Sequence, residues 1–325
     1  MAINDKTLLQ YRVGGLLYVP AIRPGIADKL CAEAYPALTS VAFCLEDSIQ
    51  DSALAEAEKN LAETLRTIRE KSVPEHQLPL LFVRVRTPKH LRHVHTLLGE
   101  DEELLTGYIL PKFDTGNGEE YAQLIRTYNH GREHTLFMMP ILESRMIADI
   151  QSRERALIDI KSILDGIHDF VLNVRVGGND FSNLYGLRRA VHQSIYEIGV
   201  MRDILVDIIN VFSLDYVVSG PVWEYFGQSS DEPWAWGLRK ELELDRLNGF
   251  IGKTAIHPVQ LPTIYDSLKV LRADYEDAKK ILNWTSDGFA VAKSADGSRM
   301  NEVKCHTRWA QRILTLGQIY GVLEG

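Results

Sequence analysis

The stretch VRVGGNDFSN, residues 174–183, passes from a β-branched apolar run straight into two glycines, an amide, a carboxylate and a serine. Valine suits a strand, and paired glycines mark a turn or a close approach of the backbone to something else. Two readings of Asp180 follow. Either it caps a helix that starts just after the strand, or it stands at the open end of a parallel barrel and holds a ligand there. The choice depends on whether the rest of the chain builds such a barrel.

Seven other stretches repeat the pattern of an apolar run that ends in polar residues. They are LLYVPA (16–21), SVAFCLED (40–47), LPLLFVRVR (78–86), GYILPK (107–112), TLFMMPILES (135–144), LDYVVSG (214–220) and FIGKTAIHP (250–258), with DFVLNVRVGGND (169–180) sixth in the series. Near-continuous hydrophobicity, in place of strict alternation, is what strands covered on both faces require. Between them lie Ala-, Leu-, Glu-, Lys- and Arg-rich segments at helical spacing, such as DSALAEAEKNLAETLRTIREK (51–71) and SRERALIDIKSILDGI (152–167). Eight such β-then-α units predict a (β/α)8 TIM barrel, with a doubly wound open sheet as the competing arrangement. Beyond Pro258 the chain reads as a closing helix, a hairpin in FAVAKSADGSRM (289–300) around Asp296 and Gly297, and a final helix. The organisation expected is a barrel domain over 1–275 and a C-terminal lid or oligomerisation extension over 276–325.

The 325 residues are 45% hydrophobic and 25% charged, with a formal net charge of −8. That suits a large globular fold, and the acidic balance argues against a nucleic-acid partner. Cys31, Cys44 and Cys305 form no CxxC pair, which points to reduced thiols in a cytoplasmic protein. The opening MAINDKTLLQYRVGGLLYVP has no basic region followed by a long apolar run, and nowhere do about 18 apolar residues follow one another. Neither a signal peptide nor a membrane span is expected.

In a parallel barrel the chemistry collects where strands end. Titratable residues fall there along the series: Arg23 past the first strand, Glu46 and Asp47 after the second, Arg84 and Arg86 on the third. Lys112, Glu143, Asp180 and His257 follow the fourth, fifth, sixth and eighth. So many charges on one rim carry a desolvation penalty that packing alone does not justify. Glu143 and Asp180, at adjacent strand ends, can share one hard cation such as Mg²⁺, with water and substrate oxygens completing an octahedron. The plain alternative pairs Glu143 with Arg145 and leaves Asp180 as a cap. Arg84 and Arg86 alternate along a strand and so point to one face. If that face is the interior, both guanidiniums need anionic partners: Glu46 for one, a substrate carboxylate in a bidentate fork for the other.

Other motifs carry less. The GKT of IGKTAIHP lacks the upstream glycine of a phosphate loop, since Leu247 stands there, and it leads into a strand end, not a helix. The histidines of HLRHVHTLLGEDEELL (90–105) match no zinc spacing and read as a solvated helix face. VWEYF and PWAW (222–236) read equally as core or as a pocket wall. No GxSxG elbow supports a serine nucleophile.

Taken in order, the motifs resemble the citrate lyase β-subunit-like branch of the HpcH/HpaI aldolases. LLYVPAIRP (16–24) is similar to that family's opening LFVPG segment, AFCLEDSI (42–49) to its LDLEDAV, FVRVR (82–86) to its VRVN and ILPKF (109–113) to its LPKV. ILES (141–144) stands where the family has IET, VGGNDFSNLYG (176–186) where it has a Gly-x-x-Asp-Leu motif, and GFIGKTAIHPVQL (249–261) where it has GFxGKxxIHPxQI. DGSRMNEV (296–303) is similar to its tail motif. The likeness is greatest to a divergent subgroup of TIM-barrel carbon–carbon lyases associated with tellurite-resistance and stress gene clusters.

The resemblance implies Mg²⁺ on Glu143 and Asp180, with Arg84 holding a substrate carboxylate or carbonyl. It places Glu46 and Asp47 beside the metal-bound waters. Glu302 falls near a tail aspartate that in some relatives closes over a neighbouring subunit. Arg23, Arg86, Lys112 and Asn179 complete the candidate substrate contacts. The reaction implied is retro-aldol or retro-Claisen cleavage next to a carboxylate, on a small carboxylic or oxo acid or an acyl-CoA thioester. The assembly implied is a homo-oligomer, a trimer or a multiple of one. Glu46, Asp47 and Glu302 are equal candidates for the base. Ser144 replaces a family threonine, Arg86 an asparagine, Asn179 is an added amide, and Ala21 stands where a glycine approaches CoA; these leave the acyl carrier open. Two other classes stay in view: a metal-independent aldolase with a Schiff base on Lys112, and a barrel that binds ligands or scaffolds a complex without turnover.

Overall fold

The computed structural model describes residues 6–285, 290–294 and 297–324. It divides into two compact units, Met1–Ile264 and Tyr265–Gly325. Among the described residues of the first unit, eight parallel strands follow the expected series. They are β1 (Gly15–Pro20), β2 (Ser40–Cys44), β3 (Leu80–Arg84), β4 (Gly107–Leu110), β5 (Phe137–Leu142), β6 (Val174–Val176), β7 (Val218–Ser219) and β8 (Lys253–Ala255). The order is β7-β6-β5-β4-β3-β2-β1-β8, so each strand lies beside its sequence neighbour. A parallel bridge between Gly220 and Lys253 joins the two ends and closes the ring. This is the (β/α)8 barrel, and the open-sheet alternative is excluded.

The connecting helices are α1 (Lys6–Arg12), α2 (Ile26–Cys31), α3 (Leu54–Glu70), α4 (Pro88–Leu98), α5 (Gly118–Asn129), α6 (Arg145–Ala148) and α7 (Arg153–Asp165). After β6 come α8 (Gly178–Leu184), α9 (Gly199–Phe212), α10 (Pro233–Leu247) and α11 (Leu261–Ser267). Strands β2, β3, β4 and β5 are buried along their whole length, as their unbroken apolar runs demand. Outward-facing strand residues pack under the helices in one large cluster. Inward-facing ones, among them Leu16, Ala42, Phe82, Ile109, Met139 and Leu172, fill the interior in a second cluster. The barrel is therefore a packed core whose polar positions are pushed to one end.

The second unit contains α12 (Arg272–Leu282) and α13 (Val303–Tyr320), joined through Ala278, Ile281 and Ala310. Its hairpin pairs Val291–Lys293 antiparallel with Met300–Glu302; the Asp296 of the expected turn lies outside the described residues. The expected boundary after residue 275 falls inside α12. Because α12 packs on α13, it belongs with the tail, and the division comes earlier, after Ile264. No described helix is long and apolar enough to cross a membrane.

Candidate active site

Arg84, the last residue of β3, is only 6% exposed. Its Nη2 lies 2.8 Å from Glu46 Oε2, 3.0 Å from Asp47 Oδ2 and 3.6 Å from Glu143 Oε1. Its guanidinium stands 5.5 Å from the ring centre of Tyr18 on β1. Lys112, two residues past β4, sets Nζ at 2.6 Å from Glu46 Oε1 and 3.3 Å from Asp47 Oδ1. Its backbone is left-handed, with φ 50°, and its N–H donates to Glu143 Oε1 at 2.9 Å. Three acids and two cations thus interlock, so no member is buried without a counter-charge. Burial works against the charge on Arg84 and Lys112; the anionic groups around each outweigh it and hold both above their ordinary values.

The acids differ. Burial pushes Glu46 up, and its hydrogen bond with Asp47 adds to this. Partial burial also pushes Asp47 up, but its bond to Glu46 and the nearby Arg84 and Lys112 prevail, so it stays below the usual carboxylate range. Glu143, 4% exposed just past β5, is pushed up to about 8: burial is the main cause, Arg84 opposes it, and Asp180 adds to it. Asp180 sits in the first turn of α8. The N-cap of that helix is Gly177, with no side-chain cap bond, so Asp180 is not the cap residue. Its carboxylate faces that of Glu143.

Two carboxylates crowded together are oxygen donors in want of a cation or a proton. Mg²⁺ takes one or two protein carboxylates and keeps waters for its remaining positions, so the pair fits it. Among the described residues, no group of three or more His, Cys, Asp and Glu side chains could hold a metal, so a two-carboxylate shell is the set available. The pair borders a cavity of about 200 Å³, also lined by Tyr18, Asp47, Arg84, Arg175, Asn179 and Thr254.

Of the residues picked out in the sequence, Glu46, Asp47, Arg84, Lys112, Glu143, Asn179 and Asp180 come together at this mouth. Arg86 does not join them. Strand pairing stops at Arg84, so the same-face rule no longer holds two residues on. Arg86 turns to the β2–α3 connection, donating to Leu45 O at 2.7 Å and Ile49 O at 2.6 Å and pairing with Asp51. Arg23 is exposed in the turn after β1. His257 accepts from Val259 N at 3.3 Å as a helix cap and stacks on Phe226. Glu143 pairs with Arg84 and not with Arg145. Glu302 belongs to the second unit, where its N–H donates to His306 Nδ1. The histidines of α4 are less solvated than expected: His90 is buried and bonds Glu58 at 2.9 Å. Trp223 and Trp234 are core, whereas Trp236 is exposed.

Tyr18, Arg175 and Thr254 line the cavity without standing out in the sequence, and the charged one is Arg175. Arg175, in the middle of β6, is 1% exposed and points inward. Its Nη2 donates to Thr254 Oγ1 at 2.8 Å, while Nε and Nη1 have no partner. The signal was a charge flanked by valines in a covered strand, where only the interior can receive it.

The family profile described as a C–C bond lyase of the TIM-barrel fold matches residues 7–322. No curated protein matches the chain by sequence. Among solved structures, a citrate lyase from Burkholderia xenovorans LB400 is similar with a TM-score of 0.69 and 14% identity, covering 96% of this chain and 93% of its own. CitE from Mycobacterium tuberculosis, in complex with magnesium, acetoacetate and coenzyme A, has a TM-score of 0.62 and 18% identity over 94% of this chain and 99% of its own. The citrate lyase β subunit from the same organism, complexed with oxaloacetate and magnesium, has a TM-score of 0.51 and 17% identity over 79% and 98%. At these identities the structures bear on the fold alone, and the profile carries the assignment. With its acids, Arg84 and Lys112 gathered at the strand ends of a closed barrel, the chain belongs to the TIM-barrel carbon–carbon bond lyases.

Proposed function

We propose that this lyase is Mg²⁺-dependent and that it cleaves, or in reverse forms, a C–C bond next to the carboxylate of a small acid or its CoA thioester. The observation that carries the reading is the cluster at the mouth: Arg84 held among Glu46, Asp47 and Glu143, with Asp180 facing Glu143. Glu143 and Asp180 would hold the cation, which when bound supplies Lewis-acid stabilisation of enolate charge. Arg84 is fixed before any substrate arrives, so it offers positive charge to the enolate oxygen without reorganisation. Asp47 lines the cavity and stays ionised, and it is our candidate for taking the hydroxyl proton in the cleavage direction. Glu46, sealed behind it, orients Arg84 and Lys112.

Lys112 is a poor Schiff-base nucleophile here. Two carboxylates hold it as an ammonium, and a carbonyl requires the free amine. The similar CitE and citrate lyase β-subunit structures, in complex with magnesium and small oxo acids, support the metal and the substrate class. We also retain, as part of the proposal, a cytoplasmic homo-oligomer in which the C-terminal unit brings Glu302 to a neighbouring site.

The test is a cleavage assay on 3-hydroxy acids and their CoA thioesters, following the carbonyl product, with Mg²⁺ and then with EDTA. Turnover that needs Mg²⁺ and disappears in Asp47→Asn supports the reading. Turnover indifferent to EDTA would sink the metal, and full activity in Asp47→Asn would sink the base.

A further inference from the structure

We propose that Arg175 binds a second carboxylate of the substrate, so that the acid taken by this site is a dicarboxylate. The inference deepens the reading above and rests on it for the position of the reacting end. Arg175 lies in the barrel interior with two of its three guanidinium nitrogens buried and without a partner. A buried guanidinium unpaired by any acid is strongly penalised unless something else brings the counter-charge. The acids nearby are already engaged: Glu46 and Asp47 serve Arg84 and Lys112, and Glu143 takes the Lys112 N–H and Arg84.

The free edge of Arg175 is shaped for a planar anion. One N–H of Nη2 is anchored on Thr254 at 2.8 Å, which fixes the plane of the group, and the second Nη2 N–H leaves a two-donor edge with Nε or Nη1, both without a partner. A fixed guanidinium edge is the geometry that grips a carboxylate at two points. Tyr18 lies within hydrogen-bonding reach of it but, with its phenol pushed up by burial, stays neutral and brings no counter-charge. Ser219, its register partner on β7, is buried with an unpartnered Oγ, so the polar layer extends to the neighbouring strand.

The spacing fits a short chain. Register pairs Ile141 with Arg175, so Glu143 and Gly177 form the next inward layer toward the mouth. Two residues along a strand is about 7 Å. An acid whose reacting end lies at the Glu143 layer therefore reaches Arg175 with a second carboxylate through a few carbons. The cavity of about 200 Å³ is smaller than the roughly 300–1,000 Å³ that takes a drug-sized ligand. A monocarboxylate would leave the deep end of that space, and the guanidinium, unanswered.

The experiment compares acids that share the 2-oxo carboxylate and differ in the second group: pyruvate against oxaloacetate and 2-oxoglutarate, each titrated by calorimetry with and without Mg²⁺. We expect at least one diacid to bind tenfold or more tightly than pyruvate, and that ratio to collapse toward one in Arg175→Met. Arg175→Lys keeps the charge, loses the planar edge, and serves if Arg175→Met does not fold; it should lose most of the ratio. Ligand-free Arg175→Met should melt no lower than wild type, because an unpaired charge has been removed.

A diacid preference that survives in both variants overturns the assignment, as does a wild type that binds pyruvate as well as it binds both diacids, or none of the three. A lower ligand-free melting temperature in Arg175→Met would make the residue structural and overturn it as well. The two readings separate cleanly. An Arg175-dependent ratio that ignores Mg²⁺ sinks the metal and leaves the second carboxylate standing; Mg²⁺-dependent binding with no ratio does the reverse.

Discussion

Glu143 reaches its position only because residue 177 has no side chain. A Cβ on Gly177 would stand 2.0 Å from Glu143 Oε2 and 2.4 Å from its Cβ. The first glycine of VRVGGNDFSN thus has a spatial reason: the strand end must pass under a neighbouring carboxylate before the chain turns into α8 and presents Asp180; at Gly178 a Cβ would stand 2.8 Å from Pro221. We expect Gly177→Ala to displace Glu143, destabilise the barrel by about 1–3 kcal/mol as overpacking does, and lower Mg²⁺ affinity at least tenfold. Calorimetric titration with Mg²⁺ beside denaturant unfolding measures both. Unchanged Mg²⁺ affinity would remove Glu143 from the metal shell.

Glu143 also sets a pH dependence. With its carboxyl pushed up to about 8 in the metal-free protein, it holds a proton at neutral pH that a cation must displace. Mg²⁺ affinity should therefore rise as pH approaches 8, with proton release measurable as heats that vary with buffer ionisation enthalpy. Stability of the metal-free protein runs the other way. The folded state binds the proton more tightly than the unfolded chain, so that stability is present at low pH and is lost as pH rises through about 8. Glu143→Gln should abolish both trends. Their persistence in that variant would move the titration to another group.

Much of this was legible in the sequence, and the gaps have physical causes. Continuous apolar runs gave the strands because a covered parallel strand leaves no face for polar residues. Glu46 and Glu143 were found because each directly follows such a run, and Asp180 because it stands just past the glycine turn that ends one. Arg86 was misplaced because alternation applies only while the strand continues, and pairing ends at Arg84. Arg175 did not stand out because its charge lies mid-strand between Val174 and Val176, not at a strand end where site residues collect. The paired glycines were legible as a turn or a close approach, but not that Gly177 makes room for Glu143, which is distant in sequence and meets it only in the fold.

Arg84 serves both the fold and the site, and the two separate in kinetics. Arg84→Met leaves Glu46 buried with Lys112 as its remaining counter-charge, and we expect a loss of about 3–5 kcal/mol, as when one partner of a buried pair is removed. Arg84→Lys keeps the charge and most of that stability. It loses the planar contact, and turnover should fall by the roughly 10²–10³ seen on removing one preorganised donor. A lysine variant with wild-type turnover and a large drop in melting temperature would reduce Arg84 to a structural role.

Borohydride treatment during turnover should trap no substrate on Lys112, because Glu46 and Asp47 hold its amine protonated. Mass spectrometry of the tryptic peptides reads the result directly. A reduced adduct on Lys112 would revive the metal-independent aldolase and displace the Mg²⁺ reading.

The GKT triplet has a different task from phosphate binding. Lys253 on β8 is fully buried, with Nζ 2.9 Å from Glu241 Oε1 and 2.7 Å from Asp245 Oδ2, both on α10. Arg189 shares Glu241, and Tyr196 donates to Asp245 at 2.8 Å. Gly220, whose bridge to Lys253 closes the barrel, runs so near that a Cβ would stand 2.7 Å from Asp245 Oδ2. The network therefore fastens the seam between β7 and β8 to the helix that connects them. Lys253→Met strands two buried carboxylates near one remaining arginine, and we expect about 3–5 kcal/mol of destabilisation. Removing one carboxylate as well, in Lys253→Met with Asp245→Leu, should recover part of it, since an apolar replacement of a buried pair is far less harmful than breaking it. Unfolding in urea of the two single variants and the double variant completes the cycle. If Lys253→Met unfolds like wild type, the lysine is not what holds the seam, and its burial would need another explanation.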